Sequence, residues 1–116
     1  MKVREIIVPK SLEAEFNLDL DLALEDDLDI IQLNQQEFDK LWHSDIFNLI
    51  NNILPEALID DYESASILDE NSLNEVLKAL ESKNGYDYYL IQHLADSIIV
   101  FFRKALTRKT GVHFYF

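Results

Sequence analysis

The sequence predicts an α+β fold: a small, mostly antiparallel sheet with about three helices packed on it, in a single acidic domain over residues 1–116. Three observations point there. Apolar residues alternate with polar ones near both ends of the chain, segments of helical period fill the middle, and only 2 Gly and 2 Pro interrupt 116 residues, which favours long regular elements. At 48% hydrophobic residues the chain can build a real core.

The elements follow in order. "KVREIIVP" places three β-branched residues before Pro9, which holds Val8 extended, and reads as a strand. "SLEAEF" is ambiguous between helix and strand. In "FNLDLDLALEDDLD", Phe16, Leu18, Leu20, Leu22 and Leu24 scatter round a helix but share one face of a strand. That stretch is therefore predicted as a strand, with the leucines facing the core and Asn17, Asp19, Asp21 and Glu25 facing solvent. Leu20→Asp is then expected to cripple folding, and Asp19→Asn and Asp21→Asn to be tolerated. "LDIIQL" is a further strand or a bend.

Asn34 and Glu37 have capping-box spacing, and Phe38, Leu41, Trp42, Ile46, Leu49, Ile50 and Ile53 keep helical period up to Pro55, with a restart at Ser44-Asp45. "EALIDDYESASILD" has no clear period. Asp69, Asn71 or Ser72 can cap a helix whose face is Leu73, Val76, Leu77 and Leu80, with Gly85 as its C-cap. The longest helix carries the stripe Ile91, Leu94, Ala95, Ile98, Phe102, Ala105 and Leu106, widened by Ile99, Val100 and Phe101, and ends at Gly111. "VHFYF" closes as a strand with Val112, Phe114 and Phe116 on one face.

Charge bears most directly on function. Ten basic and 22 acidic residues give a net charge of −12. Between Ser11 and Leu77 stand 18 acids and one base, Lys40; from Lys78 to Phe116 there are three acids and six bases. Such a surface repels nucleic acid and anionic membrane and speeds encounter with basic proteins. The start lacks the apolar core of a signal peptide, and "SIIVFFRKAL" is too short to span a bilayer. A soluble cytoplasmic chain without membrane contact is expected.

Several chemistries are excluded. With no Cys there is no disulfide, thiolate metal site or cysteine nucleophile. Gly85 and Gly111 alone cannot form a P-loop, a dinucleotide fingerprint or a nucleophile elbow. "DLDLALEDDLDI" begins like a calcium loop, but Ala23, Leu24 and Ile30 stand where an acid or amide, a glycine and a glutamate belong. His43, His93 and His113 fall in no spacing that pairs them with a ligand or nucleophile, and each reads as a surface or half-buried residue. His113 and Tyr115 near Arg108 and Lys109 form the nearest approach to an active site, a patch able to hold a phosphate, although cations at a helix C-terminus and an exposed strand face explain the same residues more simply. No catalytic residue, metal or cofactor is expected.

Two readings of the acids remain: plain solubility, with Tyr62 tucked into the core from a solvated loop, and recognition. Tyr62 among Asp60, Asp61 and Glu63 suits a basic partner, because Tyr offers contact area and the acids pair with Arg or Lys. A small, cysteine-free, acidic α+β chain with "IDDYE" in its middle and "GVHFYF" at its end resembles the immunity proteins of bacterial contact-dependent inhibition and related polymorphic toxin systems. The resemblance implies that the chain binds and blocks a cognate basic toxin domain, often a nuclease, with Asp60, Asp61, Tyr62 and Glu63 as a contact patch. The charge distribution adds Asp19, Asp21, Glu25, Asp26 and Asp27 as partner-binding residues. The competing readings are a nucleic-acid mimic presenting its acids in phosphate-like rows, an acidic interaction subunit without catalysis, and a small enzyme using the basic C-terminal patch.

Overall fold

The structure, a computed structural model, describes residues 4–44, 46–55, 59, 64–82 and 89–116. Asp60, Asp61, Tyr62, Glu63 and Gly85 lie outside the described residues. The fold is α+β, as the sequence predicts. Strands β1 (Arg4–Pro9), β2 (Leu28–Leu33), β3 (Ala65–Ile67) and β4 (Val112–Tyr115) form an antiparallel sheet in the order β2-β1-β4-β3. Among the described residues five α-helices accompany it: α1 (Leu12–Asp19), α2 (Gln35–His43), α3 (Ile46–Ile53), α4 (Glu70–Ser82) and α5 (Tyr89–Arg108).

The strand pleat assigns the two faces of the sheet. Ile6 pairs with Ile31 and Phe114, and Phe114 with Ala65; this row joins the main core. Helices α2 to α5 cover that face with Phe38, Leu41, Phe47, Ile50, Leu73, Ile98 and Phe102. The next row, Ile30–Ile7–His113–Ser66, points to the opposite face, where α1 lies.

Local signals account for most boundaries. Asn34 and Glu37 form a complete capping box: each side chain accepts from the other's backbone N–H, at 2.8 and 2.9 Å. Ser44 separates α2 from α3, which lets Ile46, Phe47 and Ile50 turn into the core. Asp69 caps α4 by accepting from Ser72 N at 2.9 Å. Helix α5 ends before Gly111: Lys109 has φ of 59°, and the bonds Thr110 N to Ala105 O and Lys109 N to Leu106 O form a Schellman motif. Gly111 has another reason to be glycine. A Cβ there would lie 2.6 Å from Leu68 Cδ2, 2.7 Å from Ile67 O and 2.9 Å from Glu15 Oε1.

The strand expected over residues 16–25 is not formed, and the leucine assignment is reversed. Ser11 Oγ caps α1 by accepting from Ala14 N, and Glu13 and Glu15 sit in the first turn, where the helix dipole favours acids. The helix ends in a second Schellman motif, with Leu22 N bonded to Asn17 O, Asp21 N bonded to Leu18 O, and Asp21 at φ 57°. A loop and a single 3-10 turn, Glu25–Asp27, lead into β2. Phe16, Leu20, Leu22 and Leu24 are exposed and Leu18 is half-buried, so Leu20→Asp removes no core contact. Val100 is also exposed, whereas Ile99 and Phe101 do widen the apolar face of α5.

Candidate functional site: an acidic, apolar ridge on α1

The Glu15 side chain ties helix α1 to the sheet by hydrogen bonds. The Glu15 carboxylate accepts Gly111 N–H at 2.6 Å and lies 3.0 Å from His113 Nε2. Because a carboxylate only accepts, Nε2 donates to Glu15, and Nδ1 is hydrogen-bonded to Ser66 Oγ at 2.8 Å. His113 is 2% exposed, so the expectation of a surface or half-buried histidine is corrected. The cause is α1, which covers the face that strand alternation alone leaves open. Ser66, His113 and Glu15 are bonded in the order of a nucleophile relay. Here the acid also holds a backbone amide. The arrangement is a clamp joining α1, β3 and β4.

The phosphate-holding patch considered at His113, Tyr115, Arg108 and Lys109 is not assembled among the described residues. His113 is committed to Ser66 and Glu15, whereas Arg108 Nη1 lies 2.5 Å and Lys104 Nζ 3.5 Å from Asp29 on β2. Burial pushes the Asp29 carboxyl up, but the Arg108 hydrogen bond and the charges of Arg108, Lys104 and Lys10 outweigh it and hold Asp29 below the usual carboxylate range. With the folded value depressed, Asp29 stabilises the fold above its unfolded value near 4, and this contribution is lost as pH falls through the folded one. Unfolding titrations of the wild type and Asp29→Asn are expected to differ at neutral pH and to converge as pH falls below the ordinary carboxylate range. A constant difference across that range would remove the ion pair as its cause.

The remaining acids near α1 are free of such pairing. Glu13, Asp19, Asp21, Glu25, Asp26 and Asp27 are exposed and make no ion pair with any described residue. Lys10 Nζ comes near but donates to the backbone oxygen of Asp26, at 2.8 Å. Asp19 and Asp21 face Tyr115: burial first, then these two charges, raise its phenol above the ordinary value. Both acids also stand at the C-terminal end of α1, where the helix dipole disfavours negative charge, and Asp21 adopts a left-handed conformation usually given to glycine. Beside the loop, Lys10, Glu25, Asp26, Leu28, Ile30 and Gln32 line an open cleft of about 550 Å³.

The structure thus gathers five of the sequence-predicted partner residues, Asp19, Asp21, Glu25, Asp26 and Asp27, on α1 and the segment that follows it. Sequence reasoning missed the apolar component. Leu12, Phe16 and Leu20 follow one another at four-residue intervals, and Leu22 and Leu24 continue into the loop; Phe16 is 65% and Leu24 69% exposed. The i, i+4 spacing was legible, but the Leu-x-Leu alternation overrode it.

Among the described residues there is no group of three or more His, Asp or Glu side chains able to hold a metal ion. No described helix is long and apolar enough to cross a membrane.

These features describe an acidic α+β chain whose helix α1 and following loop present exposed carboxylates beside exposed apolar side chains. No protein-family model matches the chain, and no curated protein matches it. Among solved structures it is similar to the Neisseria DNA mimic protein DMP12, with a TM-score of 0.72 and 18% sequence identity, over 99% of this chain and 100% of that one. At that identity the likeness is one of fold.

Proposed function

We propose that this protein is a DNA mimic: an acidic, non-catalytic inhibitor that occupies the DNA-binding surface of a basic protein. The observation that carries this reading is the set of exposed carboxylates at Glu13, Asp19, Asp21, Glu25, Asp26 and Asp27, none of them in an ion pair with a described residue. Two of these are kept at a helix C-terminus against the local electrostatic preference. Features that break a local rule without local compensation are expected at functional surfaces. A groove that binds DNA is shaped to neutralise closely spaced phosphates, about one charge per 1.7 Å of duplex axis, and a dense row of carboxylates addresses the same cations. The fold shared with a protein named as a DNA mimic supports the reading. The expected toxin-neutralising role is a narrower case of it, in which the blocked protein is a basic nuclease toxin made by the same cell.

The test is competition. The immobilised protein is expected to retain DNA-binding proteins from its own cell, and duplex DNA should elute them. Binding should weaken steeply with salt. A variant carrying Asp19→Asn, Asp21→Asn, Glu25→Gln, Asp26→Asn and Asp27→Asn should lose roughly tenfold or more in affinity, mainly through slower association. Retained proteins that DNA does not displace, or an unchanged affinity in the neutralised variant, would overturn the reading.

A further inference from the structure

We infer that the outward face of α1 and the loop after it form an apolar docking ridge whose occupant is a cationic amphipathic segment of the partner protein. The inference deepens the DNA-mimic reading and rests on it for the partner's identity, but it adds a contact that DNA itself cannot offer. On a helix turning about 100° per residue, Ala14, Glu15 and Leu18 face the sheet, and Leu12, Phe16 and Leu20 point to the opposite side. Glu13 and Asp19 flank that stripe, one on each side. A solvated helix face is ordinarily polar, and contiguous apolar exposure on a monomer marks a contact site.

The exposure is not a fraying end. Ser11 caps the helix, Ala14 is buried, and Glu15 is anchored to Gly111 and His113. The stripe is therefore held out in a fixed position, which reduces the ordering needed on binding.

Charge selects the occupant. A second copy, docked about a two-fold axis, would bring each copy's carboxylates toward the other's, in a chain whose net charge is −12. A neutral apolar partner would leave Glu13 and Asp19 desolvated and unpaired. A segment with apolar side chains on one face and Lys or Arg beside them satisfies both requirements, with the apolar centre and polar rim usual for protein interfaces.

Two synthetic peptides of about 18 residues and the same Leu and Lys content serve as probes. One has its leucines on a single helical face; the other has them scattered. The patterned peptide should bind roughly tenfold more tightly, and its advantage should survive about 0.5 M salt better than the charge-driven part. Phe16→Ser with Leu20→Ser should erase the difference, leave binding of the scattered peptide unchanged, and leave the melting temperature near that of the wild type. Equal binding of both peptides, or discrimination that persists in the double variant, would overturn the inference. So would a wild type that sediments as a dimer while the double variant is a monomer, since the occupant would then be a second copy. The double variant also separates this inference from the mimic reading. If DNA competition succeeds and is unaffected by the two substitutions, the mimic stands and the ridge falls. If the peptides are discriminated but DNA never competes with the partner, the ridge stands and the mimic falls.

Discussion

Phe114→Ala is expected to remove about 3–5 kcal/mol of folding stability and lower the melting temperature by roughly 10–20 °C. Phe114 is fully buried on β4, where its register neighbours are Ile6 on β1 and Ala65 on β3. Its ring meets Phe47 edge-on at 6.3 Å and Phe116 at 5.7 Å, and Phe38 joins the same cluster through Phe116 at 5.0 Å. Truncation would open a cavity where the sheet meets α2 and α3, and those neighbours are held in their own packing and cannot collapse into it. For a domain whose total stability is of the order of 5–15 kcal/mol, that is a large fraction. Phe16→Ala provides the control: the chemical change is the same, at a side chain 65% exposed, and the expected change is within about 0.5 kcal/mol. Chemical denaturation of the two variants decides the matter. Similar losses at both positions would mean that Phe16 is packed, which would also remove the docking ridge.

That contrast shows what the sequence made legible. The alternation Val112, Phe114, Phe116 identified a buried strand face, because one side of β4 does pack on the core. Asn34 with Glu37 marked a helix start through local chemistry alone, and the Leu73, Val76, Leu80 spacing found the inner face of α4. The same period-two logic failed on Leu18, Leu20, Leu22 and Leu24. A binary pattern reports geometry only when one face is buried; here most of the leucines are outside, and a helix, a turn and a loop happen to share the alternation. Strand β3 spans three residues, too few to show any period. The burial of His113 depends on Glu15, 98 positions away in the chain, a separation at which no spacing rule operates. The local trace of that contact was Gly111, which could be read as a helix stop but not as room for a carboxylate. The candidate site was half legible for the same reason: acids are counted directly in the sequence, but an apolar stripe shows its role only once it is seen to be uncovered.

Glu15→Ala should cost about 2–4 kcal/mol, more than any other single carboxylate on this surface, because it would strand two donors together. Gly111 N–H, at 2.6 Å, and His113 Nε2–H, at 3.0 Å, both lose their acceptor, and His113 is too buried for solvent to replace it freely. Glu15→Gln keeps one acceptor oxygen and should lose less. Ser66→Ala should lose less again, because Ser66 is exposed and water can reach its place beside Nδ1. The effect of Glu15→Ala should also be local. Amide exchange over residues 12–20 should speed up well before that of β1 and β4, since α1 would lose its hydrogen bonds to Gly111 and His113. Function should follow from the same tie, because α1 carries Leu12, Phe16 and Leu20. A loosened α1 must be ordered when a partner docks, so affinity for the patterned cationic peptide should fall even at temperatures where the fold persists. Loss of stability with unchanged exchange over residues 12–20 would show that Glu15 acts on the whole fold and not as the clamp of this helix. Unchanged peptide affinity in the folded Glu15→Ala protein would separate the position of the helix from its role in binding.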